Sequence, residues 1–184
     1  SGREYSVLLT TGGGLYRYAL GDVVRVVGFA GRTPRLEFLG REDAVSDVAG
    51  EKLNSVFVEG ILSRLRSTGL WSGAFAMLAP LHGRKPGYAL FVEGEAFWPL
   101  LAERLDALLR ENPHYDYCRR LGQLTAPRAF RIRRNASADY LRRCGLLGQR
   151  AGDVKPVPLH ARGGWEACFD GEFVSQAEGS ELQA

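Results

Sequence analysis

Apolar and polar positions alternate with a two-residue period in the first part of the chain. Residues 5–11 are apolar and rich in strand formers, residues 23–29 repeat that character, and in residues 35–39 Leu36 and Phe38 alternate with Arg35 and Glu37. A period of two sends successive side chains to opposite faces, so three strands are predicted. Gly12, Gly13 and Gly14 predict a tight turn or open loop, residues 15–20 form a short aromatic stretch, and Gly21-Asp22 reads as a turn. Connections this short make a meander, the last strands of a small barrel or sheet.

The pattern changes at the charged stretch 40–43. Beyond it, Leu53, Val56, Phe57, Gly60, Ile61 and Leu65 recur at helical spacing, which predicts an amphipathic helix over 52–66. Residues 72–78 and 88–93 read as strands joined by the loop 80–87. A second helix is predicted over 97–112, with Trp98, Leu101, Leu105 and Leu108 on one face and Pro113 stopping it. Residues 114–121 suggest a short helix, 129–133 another strand and 136–143 a further short helix. The order αββα, then βα, gives an α+β layer architecture. Beyond Leu159 no period is evident, and the tail is expected to be loosely ordered. The expected division is 1–40 for terminal strands of an incomplete first domain, 41–160 for a small α/β-layer domain, and 161–184 for the tail.

Composition narrows the function classes. A net charge of +3 over 184 residues, with the basic residues spread along the chain, gives no footprint for nucleic acid. Lys52, Lys85 and Lys155 are the only lysines among 24 basic residues, so each is a candidate for work that arginine does not do. Cys118, Cys144 and Cys168 are odd in number and far apart, and His82, His114 and His160 have no partner at ligand spacing, so neither a disulfide framework nor a metal site is expected. Reduced thiols point to the cytoplasm. No apolar run approaches the ~18 residues of a membrane helix. The triple glycine lacks a following Gly-Lys-Ser/Thr and is not a P-loop. The basic group Arg131, Arg133 and Arg134 reads as a solvated face.

Four blocks carry a resemblance. The first runs Gly14-Leu15-Tyr16-Arg17-Tyr18, then Gly21-Asp22-Val23-Val24. The second is Phe38-Leu39-Gly40-Arg41-Glu42-Asp43, followed by Ser46 and Gly50-Glu51-Lys52. The third is Asn112-Pro113-His114-Tyr115 with Arg119, and the fourth Gly152-Asp153-Val154-Lys155-Pro156. Together they resemble the auxin-responsive promoter (Gretchen Hagen) family of acyl-acid amido synthetases, within the adenylate-forming ligases, over about residues 5–159. The sequence departs from plant members at Asp153, where they carry Gln, and at Val157-Pro158.

The resemblance implies that residues 1–40 end an adenylate-binding domain and that 41–160 form a C-terminal mobile cap. It implies that Asp22 accepts hydrogen bonds from the ribose hydroxyls; a carboxylate has two acceptor oxygens and matches a vicinal diol. Tyr16 and Thr11 would line the nucleotide or acyl pocket, Arg41 would lie near ribose or phosphate, and Asp43 would be the hinge. Lys155 is the candidate catalytic residue, placed to offset charge as a carboxylate attacks phosphorus. Glu51-Lys52 belongs either to this pattern or to the first turn of the following helix. ATP and Mg²⁺ are the implied cofactors, and a small carboxylic acid and an amino acid the substrates. No Ser/Thr/Gly-rich phosphate-binding loop is present, and the chain opens almost at once into a strand. It is therefore expected to need a missing N-terminal domain and to be inactive alone. A non-catalytic α+β binding or regulatory module that keeps the cap fold is the alternative. The Gly-Leu-Tyr-Arg-Tyr block argues against a coenzyme A ligase.

Overall fold

The computed structural model describes residues 2–41, 45–148 and 154–174. Three antiparallel strands come first: β1 (Glu4–Leu9), β2 (Tyr18–Ala30) and β3 (Thr33–Arg41), in that spatial order. The meander is as expected, but Gly21-Asp22 is no hairpin turn. β2 runs through it, and the irregularity appears as a bulge. Leu8 pairs with Ala19 and Ser6 with Val23, so three residues of β2 face Val7 alone. A bulge of this kind bends the strand and re-aims the extra side chains.

The two faces of this sheet differ. Glu4, Arg25 and Glu37 form one cross-strand row, with Arg25 bound to Glu4 at 2.8 Å and to Glu37 at 3.4 Å. The opposite face carries the row Tyr5, Val24 and Phe38, extended by Val26 and Leu36. Tyr5, Leu36 and Phe38 are each at least half exposed. This apolar face has no cover among the described residues.

A short antiparallel pair follows, β4 (Val45–Ser46) with β5 (Leu53–Asn54). Helix α1 (Ser55–Ser67) starts there, capped by Asn54, whose side chain accepts from the Phe57 amide. The helix therefore begins three residues later than its apolar spacing suggested. Glu51 and Lys52 lie outside it. Val58, Ile61, Leu62 and Leu65 are its buried stripe.

A four-stranded sheet forms the main layer: β6 (Trp71–Leu81), β7 (Gly87–Ala96), β8 (Arg128–Ile132) and β9 (Gly171–Phe173), in that order. Only the β7–β8 pair is parallel. Alternate residues of β6 and β7 feed two cores. Leu78, Tyr88, Leu90 and Val92 pack under α1, α2 (Trp98–Leu109) and α3 (Pro113–Arg120). Phe75, Met77, Ala89, Phe91 and Phe130 pack on the other side against α4 (Ala136–Leu146) and Trp165 and Phe169. A sheet covered on both faces needs near-continuous apolar strands, and β6 and β7 have them.

Pro113 does not simply end a helix. It opens α3 at a position where its missing N–H is harmless, and Asn112 caps that helix by accepting from the His114 and Tyr115 amides. Tyr115 donates to Asp106 at 3.0 Å, and Arg119 forks onto the same carboxylate at 2.9 and 3.1 Å. Burial pushes the Asp106 carboxyl up, but these bonds and one from Arg110 outweigh it and hold the group below its ordinary range. A depressed carboxyl stabilises the fold fully above its unfolded value, and that contribution is lost as pH falls through the folded one. In urea titrations at pH 7 and pH 3, the native chain is expected to lose more stability on acidification than Asp106→Asn. Equal losses would remove Asp106 from the acid limb.

Residues 161–174 correct the expectation of a loose tail. Trp165 is fully buried, stacks on Tyr140 at 5.2 Å and carries the Arg143 guanidinium 4.4 Å from its ring. β9 then joins the sheet edge. Gly171 permits this approach, since a Cβ there would lie 2.2 Å from the Arg131 carbonyl. The segment is anchored by single large rings, not by the continuous face of a helix or long strand. Its acids also explain the basic group: Arg133 pairs with Asp170 and Glu172, and Arg134 with Asp170.

Candidate functional site

The three-stranded sheet gathers four of the six residues singled out from the sequence. Asp22 lies in the β2 bulge, half buried, directly across the ladder from Arg41. A second irregularity adjoins it: Val23 pairs with Gly40 but Val24 with Phe38, leaving Leu39 unpaired on β3. Asp22 thus sits where the ladder is disturbed on both sides. No hydrogen bond or ion pair to its carboxylate occurs among the described residues. Its two acceptor oxygens remain available, as a ribose diol requires.

Thr11 and Tyr16 belong to the β1–β2 loop. The Thr11 amide donates to the Leu15 carbonyl at 2.9 Å, Gly14 donates back to the Thr11 carbonyl at 3.3 Å, and the Arg17 amide donates to Thr10 Oγ1 at 3.1 Å. These bonds fold the glycine run into a defined loop and turn Tyr16 outward, where it is 80% exposed. A tyrosine this bare on a fixed loop offers its ring face to a ligand. Arg41 closes β3, and Asp43 lies outside the described residues.

Lys155 is held elsewhere. Val154 and Val157 pack into the aromatic core, leaving Lys155 and Pro156 facing outward. Just beyond, the chain runs parallel to the β6 edge: the Leu78 amide donates to the Pro158 carbonyl at 2.8 Å, and His160 donates to Leu78 at 2.9 Å. The lysine therefore projects from a segment tied to the sheet. It makes no ion pair among the described residues, and Asp153 lies outside them. An open cleft of about 350 Å³ lies between α1, β6 and residues 156–158, with Arg66, Trp71, Phe75 and Val157 on its walls; Lys155 precedes that segment and is not on the walls. No hydrogen bond or ion pair joins Lys155 to the Asp22 group among the described residues.

Sequence reasoning missed one constellation. Glu51 is completely buried. Its carboxylate accepts from the Val48 and Ala49 amides at 2.8 and 2.7 Å and from the Tyr88 hydroxyl, which is also 2.8 Å from Ser46 Oγ. Burial first, and the Glu51 hydrogen bond second, push the Tyr88 phenol far up, so it stays a donor. Cys118 adds a bond to the Ala49 carbonyl. The β4–β5 hairpin is thereby bolted to β7 and α3. The spacing of Ser46 and Glu51 was visible in the sequence, but Tyr88, more than thirty residues away, was not a visible partner.

Among the described residues no cluster of three or more His, Cys, Asp or Glu is present. No helix is long and apolar enough to cross a membrane.

The chain is similar to known proteins in sequence and in fold. Residues 1–41 match the GH3 family central domain. A human GH3 domain-containing protein is 32% identical over 148 residues, covering 73% of this chain and 28% of that protein. A probable indole-3-acetic acid-amido synthetase GH3.1 of Oryza sativa subsp. japonica is 31% identical over 108 residues, 55% of this chain and 16% of the relative. Jasmonoyl–L-amino acid synthetase JAR6 of Nicotiana attenuata is 34% identical over 114 residues, 60% and 19% of the two chains. The chain spans less than a third of the length of these curated relatives. Among solved structures, a GH3.15 acyl acid amido synthetase superposes with a TM-score of 0.68 at 20% identity, covering 95% of this chain and 34% of the other. That likeness shows the fold.

Proposed function

The chain is a C-terminal portion of the GH3 family, and on that premise we propose that it forms part of an ATP-dependent acyl-acid amido synthetase. The substrates are a small carboxylic acid and an amino acid. The observation that carries this reading is Asp22, without a hydrogen-bond or ion-pair partner among the described residues, in a double irregularity opposite Arg41, inside the segment that matches the GH3 central domain. ATP supplies the activation that makes a carboxylate electrophilic. This chain's residues do the rest of what is assigned to it. Asp22 accepts from the ribose hydroxyls, Tyr16 and Thr11 line the pocket, and Arg41 lies toward the oxygen-rich part of the nucleotide. Lys155 carries a compact ammonium to the reacting oxygens, where preorganised charge lowers the barrier. The hinge role of Asp43 rests on the resemblance alone.

An N-terminal domain supplied in the complete protein covers the bare apolar face of Tyr5, Val24, Val26, Leu36 and Phe38 and brings the phosphate-binding loop. A cytoplasmic location agrees with three unpaired cysteines, two of them buried. The chain alone is expected to give no carboxylate-dependent ATP–pyrophosphate exchange, because half of the site is elsewhere; clear exchange would contradict this. Binding is the more direct test. A non-hydrolysable acyl-adenylate analogue titrated into the chain should bind, and Asp22→Ala should weaken it roughly tenfold or more, the worth of a charge-assisted bond. Complete absence of binding would favour a module that keeps the fold without the chemistry.

A further inference from the structure

The cleft between α1, β6 and residues 156–158 has one wall of irregular construction. At the start of β6, Ser72 pairs with Glu95 and Phe75 with Glu93, so Gly73 and Ala74 together face Gly94. Gly73 has no room for a Cβ, which would lie 2.1 Å from the Glu93 carbonyl and 3.0 Å from Trp71 Nε1. A bulge of this kind breaks the ladder and re-aims the side chains around it. Here it leaves Trp71 buried on the cleft wall, with no acceptor for its indole N–H among the described residues. A buried donor left without a partner is costly, and few exist in a folded chain.

The facing wall is α1, which presents Glu59, Ser63 and Arg66 at spacings of four and three, on one stripe of the helix. Arg66 lays its guanidinium 4.3 Å from the Trp71 ring centre and donates one N–H to the Gly73 carbonyl at 3.0 Å. It has no carboxylate partner, and its other donors have no acceptor, among the described residues. The Ser63 hydroxyl is likewise without a hydrogen bond among them. The opening is therefore bordered by donors. Glu59 is the one acid on the walls, and it starts about 10 Å along the helix axis from Arg66, a distance over which salt screens its charge. Leu62, Phe75, Ala76 and Val157 make the remaining surface apolar, together with two prolines.

A volume of about 350 Å³ falls within the range of small-molecule sites, about 300–1,000 Å³, and a few polar groups set in apolar walls is their usual make-up. We propose that the cleft is a binding site for a small carboxylate with an apolar body. Its oxygens meet the unused N–H groups of Arg66 and the Ser63 hydroxyl, and its body lies against Phe75 and residues 156–158. A planar guanidinium binds a carboxylate through paired bonds, and the indole beneath Arg66 keeps that plane oriented. None of these residues is among those assigned to the nucleotide, so the site stands or falls apart from that reading.

The test is a titration of the isotope-labelled chain with cyclohexanecarboxylate, read by NMR from the indole N–H resonances of Trp71, Trp98 and Trp165. The Trp71 resonance should move and saturate. That of Trp165, whose N–H donates to the Arg162 carbonyl at 2.8 Å, should stay where it is. The uncharged cyclohexanecarboxamide should bind about tenfold or more weakly, the worth of a charge-assisted bond. Arg66→Gln should weaken the acid by a similar factor. Ala74→Leu adds bulk at an exposed wall position and touches no polar group, so it should abolish binding at an unchanged thermal midpoint, which separates occupancy from folding. A Trp71 resonance that does not saturate, equal affinity for acid and amide, or undiminished binding in either variant overturns the proposal.

Discussion

Replacing Glu51 by alanine is expected to destabilise the chain by about 2–4 kcal/mol. The carboxylate is buried and satisfies the Val48 and Ala49 amides and the Tyr88 hydroxyl together. Removing it orphans three donors, and an unsatisfied buried donor costs about 1–3 kcal/mol. Two facts moderate the sum. Val48 and Ala49 are only partly buried, so water recovers part of the loss, and alanine removes the cost of burying a charge. Glu51→Gln should not rescue: it puts an amide NH₂ where both oxygens now accept. Tyr88→Phe should be milder, about 1 kcal/mol, because the amide bonds to Glu51 persist. Urea denaturation followed by circular dichroism measures all three. The account fails if Glu51→Ala lies within about 0.5 kcal/mol of wild type, the range of ordinary surface substitutions.

Lys155→Ala should have the opposite profile: a silent change to the fold and a large one to catalysis. The side chain is exposed and unpaired among the described residues, and its neighbours Val154 and Val157 keep the segment seated without it. Stability should therefore stay within about 0.5 kcal/mol. In the complete protein, removing a charge that meets the reacting oxygens should lower kcat about 10²–10³-fold, as for other preorganised electrostatic groups. The KM for ATP should change little, because the proposed nucleotide-binding residues, Asp22 and the loop, are untouched. A rise in KM with kcat unchanged would make Lys155 a binding residue; no change in either would take it out of the site.

The legible parts of this molecule were those with local signals. The three early strands, α1, α2 and the β6–β7 pair follow from periods of two and 3.6, and Asp22 and Arg41 were singled out by the distinctive runs of residues around them, with their roles still a proposal. The sequence could not reveal that the bulge would set them across from each other. Register depends on how many residues each strand contributes between paired positions, and a bulge changes that count without changing composition. The same limit hid Glu51. A buried acid is recognised by its donors, and two of the three come from backbone while the third comes from a distant strand. The end of the chain misled for another reason. Trp165, Phe169 and Phe173 recur every fourth residue, a spacing a helix would share, yet only a single 3-10 turn forms at Trp165–Ala167 and Phe173 lies on β9; each fills one place in an aromatic stack that also takes in Tyr140, Phe91 and Phe130. Three rings alone, among glycines and charged residues, do not mark a continuous element.

The unequal covering of the two sheets bears on how the chain comes apart. The four-stranded layer has its apolar residues enclosed on both sides and can melt as one cooperative block. The three-stranded layer keeps an ion row on one side and bare rings on the other, so its opening forfeits little. A single unfolding midpoint for this polypeptide would therefore blend two transitions of different strength, and the residues assigned to the nucleotide would belong to the weaker one.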